Sequence, residues 1–404
     1  MTDPTKPSNE LDPFFSIPDD RTWNACIGPQ GDEENYVEGY ILAALELATL
    51  VIERHMYIGR DTLVFPILYN ARHGVELALK FFIKRLHEVG VIAAIHPVNH
   101  DIESHWNYLC STKIGDETIR GFLSQLAPYI TSLASVDEDG QQLRYSEDRD
   151  GQTSLKDKPL ANLEVIRDSL TDLKSLLERI KHRVLDFCRE VCTGTFIPEC
   201  SRKDLIEIAR MLPPRGDWKT ESFTQAKNEI KERFALSGKK FSAVLTIIEG
   251  NREMRQLLDL DSQLMHLTDA HVKFVIEQWS ICHPPRPSGG DLGLDYFSGR
   301  DLKLFQQGYA RSALVCQELL QKLSHEELAD LETIYYFGRD GKYSEDYERK
   351  LGYTKREYAV ADNLLTKVDH LRSKTNLLKC LSRGIRLLGR PTLADELLAM
   401  RPDL

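Results

Sequence analysis

The chain has 404 residues, of which 42% are hydrophobic and 28% charged, so it is long enough for two cores and too apolar for wholesale disorder. Its net charge of −10 is unevenly distributed. Residues 1–200 carry 20 basic and 32 acidic side chains, whereas the remainder carries 32 basic and 30 acidic ones. A polyanionic partner is therefore expected to bind the second half rather than the first.

The cysteines and the N-terminal segment indicate the cellular compartment of the protein. Eight cysteines are scattered along the chain without a secretory leader, which is typical of reduced thiols in the cytoplasm. The first residues are acidic and proline-rich, which predicts a flexible lead-in over residues 1–35 and no signal peptide. The apolar stretch 40–52 is interrupted by Glu46 and is too short to span a bilayer. We therefore expect a cytoplasmic protein with no membrane segment.

Helical periodicity predicts the elements of the first half. A helix that is apolar nearly all round covers residues 39–60, and the next one has Pro66 in its first turn and ends near Gly90. Two more helices are predicted at 117–133 and 162–191, with a short hairpin around 143–155 between them.

The second half is predicted to be helical as well, beyond a domain boundary near residue 200. A proline- and glycine-rich loop at 283–299 divides it. The predicted helices cover residues 202–211, 223–234, 241–249, 268–279, 300–322, 324–336 and 355–388. The sequence thus predicts an all-α protein with one helical domain at 36–195 and another at 200–404.

Part of the first half resembles a known family. The segment 70–84 reads NARHGVELALKFFIK and resembles the second helix of HEPN domains, in which an arginine-containing start precedes a Glu-Leu-x-x-Lys core. The His100-Asp101-Ile102 step, the Arg144-Tyr145 turn and the long helix that ends at Val191 are also similar to that family. The resemblance covers roughly residues 36–195, and residues 200–404 resemble no family that we can name.

The resemblance implies a bundle of four or five helices that often dimerises and that is frequent in toxin–antitoxin and antiviral defence systems. Many relatives are metal-independent ribonucleases, with an arginine and a histidine separated by four to six residues on one helix. None of the twelve histidines here has an arginine five to seven positions upstream. The ribonuclease spacing of the family is therefore missing from this chain.

Two interpretations follow. The first is a HEPN-like interaction or regulatory component of a bacterial stress or phage-defence system, acting through a homodimer, a larger assembly or a protein partner. The second is a divergent metal-independent endoribonuclease, in which Arg72, His73, His100 and Arg144 meet in the cleft of the bundle and act on a phosphodiester. The missing spacing favours the first interpretation.

A polar stripe marks the predicted second helix, because Arg72, Glu76, Lys80 and Lys84 recur every four residues. The order of Glu76 and Lys80 favours an ion pair one turn apart. Three interpretations of the stripe remain open: a solvated or inter-helix face, part of a catalytic cleft, or a dimer contact.

We predict no metal and no cofactor. The histidines between residues 96 and 105 lack the spacing of a helical ligand pair, so capping and packing roles are expected. Cys188, Cys192 and Cys200 lack a fourth ligand, which favours buried structural thiols. The segment 146–157 has only part of a calcium-loop pattern, and the chain has no glycine-rich phosphate loop.

A basic segment stands out near the C-terminus, where residues 367–390 hold seven basic side chains and one acidic one. On one helix, five leucine and isoleucine residues would face the core: Leu371, Leu378, Leu381, Ile385 and Leu388. The neighbouring basic stripe would consist of Arg372, Lys379, Arg383, Arg386 and Arg390. This stripe predicts a solvated face, a contact with an RNA or DNA backbone, or a contact with an acidic partner such as the chain's own first half.

Overall fold

The computed structural model describes residues 14–403 apart from 18, 138–139, 148–152, 285–298, 342 and 362, and it leaves out the side chains of 30 and 299–305. Across these described residues the protein is helical and contains no β-strand, which confirms the all-α prediction. One isolated antiparallel bridge joins Glu147 to Thr153, within the predicted hairpin around 143–155. The residues between its two partners lie outside the described part of the chain.

The chain divides into two compact units, and the division differs from the predicted boundary near residue 200. Unit 1 comprises residues 1–112 and 121–184, and unit 2 comprises residues 113–120 and 185–404. The segment 113–120 belongs to unit 2 because the Glu117 N–H donates to Asp204 at 3.2 Å and Gly115 lies against Pro198. Helical periodicity cannot report such contacts, since the paired residues lie more than 80 positions apart.

Unit 1 is built on a pair of long helices. Asp32 caps the first helix by accepting from the Asn35 N–H at 3.1 Å. The second helix packs closely against it at Gly74, where an added Cβ would lie 2.7 Å from Ile41. The helices of unit 1 are α1 (Glu33–Glu53), α2 (Arg60–Glu88), α3 (Ile102–Ser111), α4 (Glu117–Val136, from residue 121) and α5 (Leu163–Val191, up to residue 184).

The prediction that Pro66 lies in the first turn of its helix is wrong. Helix α2 begins at Arg60, so Pro66 occupies its second turn, where it removes one backbone hydrogen bond. The additional first turn is formed by backbone contacts, such as the Leu63 N–H to the Gly59 carbonyl at 2.8 Å. Packing of the long apolar face of α2 offsets the missing bond, as tertiary contacts commonly do.

Helix α1 buries one apolar face and exposes a mixed one. Its inner face is buried in unit 1, but the helix as a whole is the one in the described part of the chain that is long and apolar enough to cross a membrane. Leu42 on its outer face is 44% exposed, and Leu45 and Ile52 are only partly buried. Beside these apolar residues the helix also exposes Glu38, Glu46 and Glu53.

Unit 2 contains two hydrophobic clusters. Arg202 lies between them, where it donates to Glu253 and to Glu345. The first cluster is formed largely by α6 (Arg202–Met211), α7 (Glu221–Arg233), α8 (Gly238–Gly250) and α9 (Arg252–Arg255). The second is formed largely by α10 (Asp269–Cys282), α11 (Gly299–Lys322), α12 (His325–Asp340), α13 (Tyr347–Ala359), α14 (Leu364–Arg372), α15 (Leu377–Leu387) and α16 (Pro391–Ala399).

The predicted single helix over 355–388 is wrong, because these residues belong to α13, α14 and α15. Asn363 starts α14 by accepting from the Thr366 N–H, which is the capping role that asparagine performs well. A turn at residues 373–376 then separates α14 from α15. The apolar periodicity survived across both breaks, which is why it resembled one continuous helix.

Helices α12 and α15 touch through their backbones at two glycines. A Cβ added at Gly338 would lie 1.7 Å from the Cys380 carbonyl oxygen. One added at Gly384 would lie 2.2 Å from the Ile334 carbonyl oxygen. No side chain fits at either position, so this pair of glycines allows the two helices to cross at the closest possible distance.

Candidate functional site

The candidate site in unit 1 surrounds the carboxylate of Glu76 on α2, whose side chain is 2% exposed. Arg72, one turn earlier, donates from Nη1 to Oε2 at 3.1 Å, and Lys80, one turn later, donates from Nζ to Oε1 at 2.6 Å. His100, just before α3, places Nδ1 3.0 Å from Oε1. The predicted Glu76–Lys80 ion pair is thereby confirmed. We refer to these four residues, together with His73, as the Glu76 cluster.

Arg72 is enclosed by the protein, with 1% of its surface exposed. Its Nε donates to the Asp137 carbonyl at 2.6 Å, and its Nη2 donates to the His100 carbonyl. A Cβ added at Gly140 would lie 3.2 Å from Nη1. The guanidinium therefore joins α2 to the segments that precede α3 and follow α4, and it is not accessible to a bound substrate.

The turn after α4 is closed over Arg72 by Asp137. This aspartate is fully buried, and its carboxylate accepts from the backbone N–H groups of Gln142 at 3.0 Å and Leu143 at 3.4 Å. Its Oδ2 also lies 3.8 Å from Nε of Arg72. The loop that brings Arg144 towards the cluster is thus fixed by one buried acid and one buried base.

The electrostatics of Glu76 result from two opposing effects. Burial by itself raises the pKa of a carboxyl group, because it disfavours the charged form. Hydrogen bonds from Lys80 and His100, together with the positive charge of Lys80, outweigh burial and hold the pKa of Glu76 below its ordinary 4.5. The carboxylate is therefore charged at neutral pH.

The two histidines of the cluster differ in exposure. His73 lies edge-on to Tyr40 at 4.5 Å between ring centroids and stacks on Tyr69 at 5.7 Å. Burial lowers the pKa of His73 below 6.5, so its ring is neutral at pH 7. The His100 side chain is 66% exposed, so its ring is accessible to solvent while Nδ1 faces Glu76.

Arg144 reaches the same neighbourhood through an aromatic contact. Its guanidinium lies 5.8 Å from the centroid of the Tyr69 ring, which in turn stacks on His73. Its Nε donates to the Gly140 carbonyl at 2.6 Å, and the residue is exposed. The structure thus places Arg72, His73, His100 and Arg144 around one buried carboxylate, with Arg72 inside and Arg144 outside.

This geometry defines the chemistry open to the Glu76 cluster. A buried carboxylate that orients an exposed imidazole is the arrangement of a general acid–base pair. His73 offers a second imidazole, with Nδ1 4.0 Å from Oε2 of the same Glu76. Any cation that contacts an anion here has to be Arg144 or Lys80, since Arg72 is enclosed.

The remaining histidines of this region pack and cap. His96 places Nε2 3.0 Å from the Ser104 hydroxyl, and His105 is 2% exposed with Nε2 3.3 Å from the Asn99 carbonyl. Among the described residues, no group of three histidine, cysteine or carboxylate side chains could hold a metal ion. Most of the partial calcium-loop pattern at 146–157 lies outside the described residues.

The three cysteines near the predicted boundary are free thiols in different surroundings. Cys200 is fully buried, and burial raises the pKa of its thiol to about 12. Cys188 is half-buried, whereas Cys192 is exposed near the end of α5. The prediction of buried structural thiols is therefore wrong for Cys192, which follows the last residue of α5 and is exposed to solvent.

The predicted basic stripe does not lie on one helix. Its first member, Arg372, ends α14 and pairs with Asp369 at 2.7 Å, and its last, Arg390, precedes α16, is largely buried and pairs with Asp269. Only the middle three cations share α15, and all three are exposed: Lys379, Arg383 and Arg386. The five predicted core residues of the same segment are all buried, as expected: Leu371, Leu378, Leu381, Ile385 and Leu388.

Two features of the molecule have no signal in the sequence. Asp137 reads there as one more acid of a polar turn, although it is buried against Arg72. In unit 2, Asp204 lies in the first turn of α6 in a capping box with Ser201, and burial together with the charge of the buried Asp116 raises its pKa to about 6. The Ser-x-x-Asp spacing predicts the cap, but nothing local predicts the second carboxylate.

Comparisons with known proteins do not supply a relative. No family model, no curated protein and no solved structure matches this chain.

Proposed function

We propose that this chain is a HEPN-like interaction or regulatory component of a bacterial stress or antiviral defence system, acting in the cytoplasm as a homodimer. The burial of Arg72 carries this proposal. A metal-independent ribonuclease of this type needs an arginine at the scissile phosphate, and the guanidinium of Arg72 is instead bound to Asp137, Glu76 and His100 inside unit 1. Its role is to hold the bundle together.

The outer face of α1 is the surface that we assign to the dimer. Leu42, Leu45 and Ile52 follow helical spacing there and remain exposed or half-buried. Beyond the end of α1, Tyr57 is 68% exposed and Ile58 is 93% exposed. Exposed apolar side chains on one helix and just beyond its end are candidates for a protein contact, although the exposed Glu38 and Glu46 lie on the same helix.

The test is the oligomeric state of the purified chain, measured by light scattering after size exclusion over a range of concentrations. We expect a dimer that Leu42→Glu converts to a monomer, because a carboxylate would be buried without a partner. Val165→Glu is the matched control, since Val165 is an exposed apolar residue of unit 1 at the start of α5. A wild-type chain that is monomeric at every concentration would contradict the proposal.

A second candidate function rests on the His100–Glu76 pair. An exposed imidazole held by a buried carboxylate, with His73 nearby, is suited to proton transfer at a phosphodiester. This candidate is a divergent metal-independent endoribonuclease in which Arg144 supplies the positive charge.

The two candidates are separated by incubating the purified chain with total RNA and with tRNA, in chelator and in magnesium. Under the interaction proposal we expect no cleavage. Under the nuclease candidate, His100→Ala should lower the cleavage rate by about 10²- to 10⁴-fold, the usual contribution of a general acid or base. His182→Ala is the matched control, an exposed histidine on α5 of the same unit. Arg72→Ala is unsuitable as a test, because its loss would destabilise unit 1 whether or not the protein is an enzyme.

A further inference from the structure

The exposed face of α15 in unit 2 is entirely basic. Of its eleven residues, only Lys379, Arg383 and Arg386 are exposed, and the others are buried apart from the half-buried Leu387. These cations are separated by four and three residues, so they lie within about 60° of one another around the helix axis. They rise along the axis over about 10 Å. The face is thus a short row of positive charges.

The glycine contact between α12 and α15 adds a fourth cation to this row. Arg339 follows Gly338, and Arg383 precedes Gly384, at the point where the two helix backbones touch. Gly341, which ends α12, lies close to Nη2 of Arg383, since an added Cβ there would be 3.3 Å away. We name the surface formed by Arg339, Lys379, Arg383 and Arg386 the α12–α15 basic surface.

The charges of this surface are only partly neutralised. Arg339 pairs with Asp340 at 2.7 Å and Arg386 with Asp395 at 2.5 Å, both between side chains with substantial exposure. Within the described residues, Lys379 and Arg383 have no carboxylate at ion-pair distance. Exposed ion pairs contribute little and exchange readily for a stronger anion. The surface can therefore present four cations to a polyanion.

We propose that the α12–α15 basic surface binds the phosphate backbone of a nucleic acid. Three of its four cations are arginines, whose planar guanidinium matches a phosphate with two parallel hydrogen bonds. A row of cations along one helix face can contact several phosphates of the same strand. An acidic protein is a poorer match, because the α15 face has no exposed apolar residue to serve as the anchor of a protein interface.

This inference does not depend on the proposed function of unit 1, and it predicts how the affinity for nucleic acid depends on salt. If the three α15 cations each neutralise one phosphate, the logarithm of the affinity should fall with log salt with a slope of about −2 for a single strand and about −3 for a duplex. Between 50 and 200 mM salt, affinity should then fall by roughly 20-fold and 40-fold respectively. Arg339 would make each slope steeper.

The experiment measures binding of the full chain to a fluorescent single-stranded RNA, and to a DNA duplex of the same sequence, by anisotropy over a salt series. The test variant carries Lys379→Glu, Arg383→Glu and Arg386→Glu. The matched control carries the same change of charge at three exposed cations of unit 2: Arg210→Glu, Lys219→Glu and Lys239→Glu. We expect the test variant to lose at least tenfold in affinity for RNA and DNA of any sequence, and the control to lose much less.

A neutral variant guards against misfolding of the charge reversal. Lys379→Gln, Arg383→Gln and Arg386→Gln should keep the helix, which circular dichroism checks, while reducing the salt slope by about 2 for RNA. Three outcomes would overturn the proposal. These are no binding at the lowest salt, an equal loss in the control variant, and tighter binding to polyglutamate than to RNA, which would point to an acidic protein instead.

Discussion

Two buried carboxylates, one in each unit, have opposite electrostatics. Glu76 in unit 1 is 2% exposed and Asp204 in unit 2 is 3% exposed, so burial raises the pKa of both. The pKa of Glu76 nevertheless lies below its ordinary 4.5, whereas that of Asp204 lies at about 6 instead of 3.8. The depth of burial therefore does not explain why the pKa of Glu76 is lowered and that of Asp204 is raised.

The neighbours of each carboxylate decide whether its pKa is lowered or raised. Glu76 receives hydrogen bonds from Arg72, Lys80 and His100, all of which favour its charged form. Asp204 accepts from neutral groups of Ser201 and Glu117, and the charge of Asp116 opposes its own. A buried acid with cationic partners is a fixed ionic contact, whereas a buried acid beside a second acid retains a proton to higher pH.

Removing the buried cation beside Glu76 should have the largest effect. Arg72→Met keeps the apolar stem but removes one donor from Glu76 and one from each of the Asp137 and His100 carbonyls, which should destabilise unit 1 by about 3–5 kcal/mol. Hydrogen exchange of peptides from α2 and α3 measures this loss within unit 1. Arg144→Met is the control and should cost less than about 0.5 kcal/mol, since Arg144 is exposed. If Arg72→Met lowered the stability of unit 1 as little as the control does, the contrast between the ionic contact at Glu76 and the protonated Asp204 would be lost.

The Asp204 site should make unit 2 less stable as pH rises. Its folded pKa is raised above the unfolded value, so the favourable contribution of its proton is complete below about pH 3.8 and is lost as pH rises through about 6. The difference amounts to about 3 kcal/mol, since one pKa unit corresponds to about 1.4 kcal/mol. Asp204→Asn should abolish this dependence, because an amide oxygen can still accept from Ser201 and Glu117.

The measurement is the stability difference between Asp204→Asn and wild type at pH 4 and at pH 8, from denaturant unfolding. The variant should gain relative to wild type as pH rises across this window. Asp217→Asn is the control, an exposed aspartate of unit 2 that should show no such trend. A pH-independent difference for Asp204→Asn would mean that the folded pKa of Asp204 is not raised above its unfolded value.

Glu76 should produce the opposite dependence at lower pH. Because its folded pKa is lowered, its contribution is present above the unfolded value of about 4.5 and is lost as pH falls through the folded pKa. Exchange of α2 amides should therefore accelerate in wild type below pH 4.5. Glu76→Gln should be less stable than wild type at pH 7, and this difference should narrow in acid. A difference that grows in acid would contradict the assignment.

The smallest effect is expected from His100→Ala. Its side chain is 66% exposed, and Arg72 and Lys80 continue to neutralise Glu76 without it. Unit 1 should lose less than about 0.5 kcal/mol by denaturant unfolding, the usual size for a surface substitution. A loss above 2 kcal/mol would show that the imidazole is part of the ionic contact rather than an accessible group beside it.

Contacts within one helix and the bounds of some helices could be predicted from the sequence. The Glu76–Lys80 pair follows from residues four apart on one helix, and the bounds of α6 at residues 202–211 agree with the prediction. The contacts that enclose Arg72 could not be predicted, since Asp137 lies 65 positions away. The breaks on the two sides of α14 could not be predicted from leucine periodicity, which continues through both. Asn363 before α14 and the polar turn at 373–376 after it are the local signals of these two breaks.

The crossing of α12 and α15 at Gly338 and Gly384 has a mechanical consequence. Most packed helices can slide past one another by small amounts, because flexible side chains absorb the shift. Here the two backbones are in contact at glycines. Moving either helix by one residue would bring Arg339 or Arg383 to a position where only the hydrogen atom of a glycine fits. The backbone contact at the crossing therefore fixes the register of the two helices. The spacing between the Cα atoms of Arg339 and Arg383 is set by this backbone contact, and it should stay constant through any rearrangement elsewhere in unit 2.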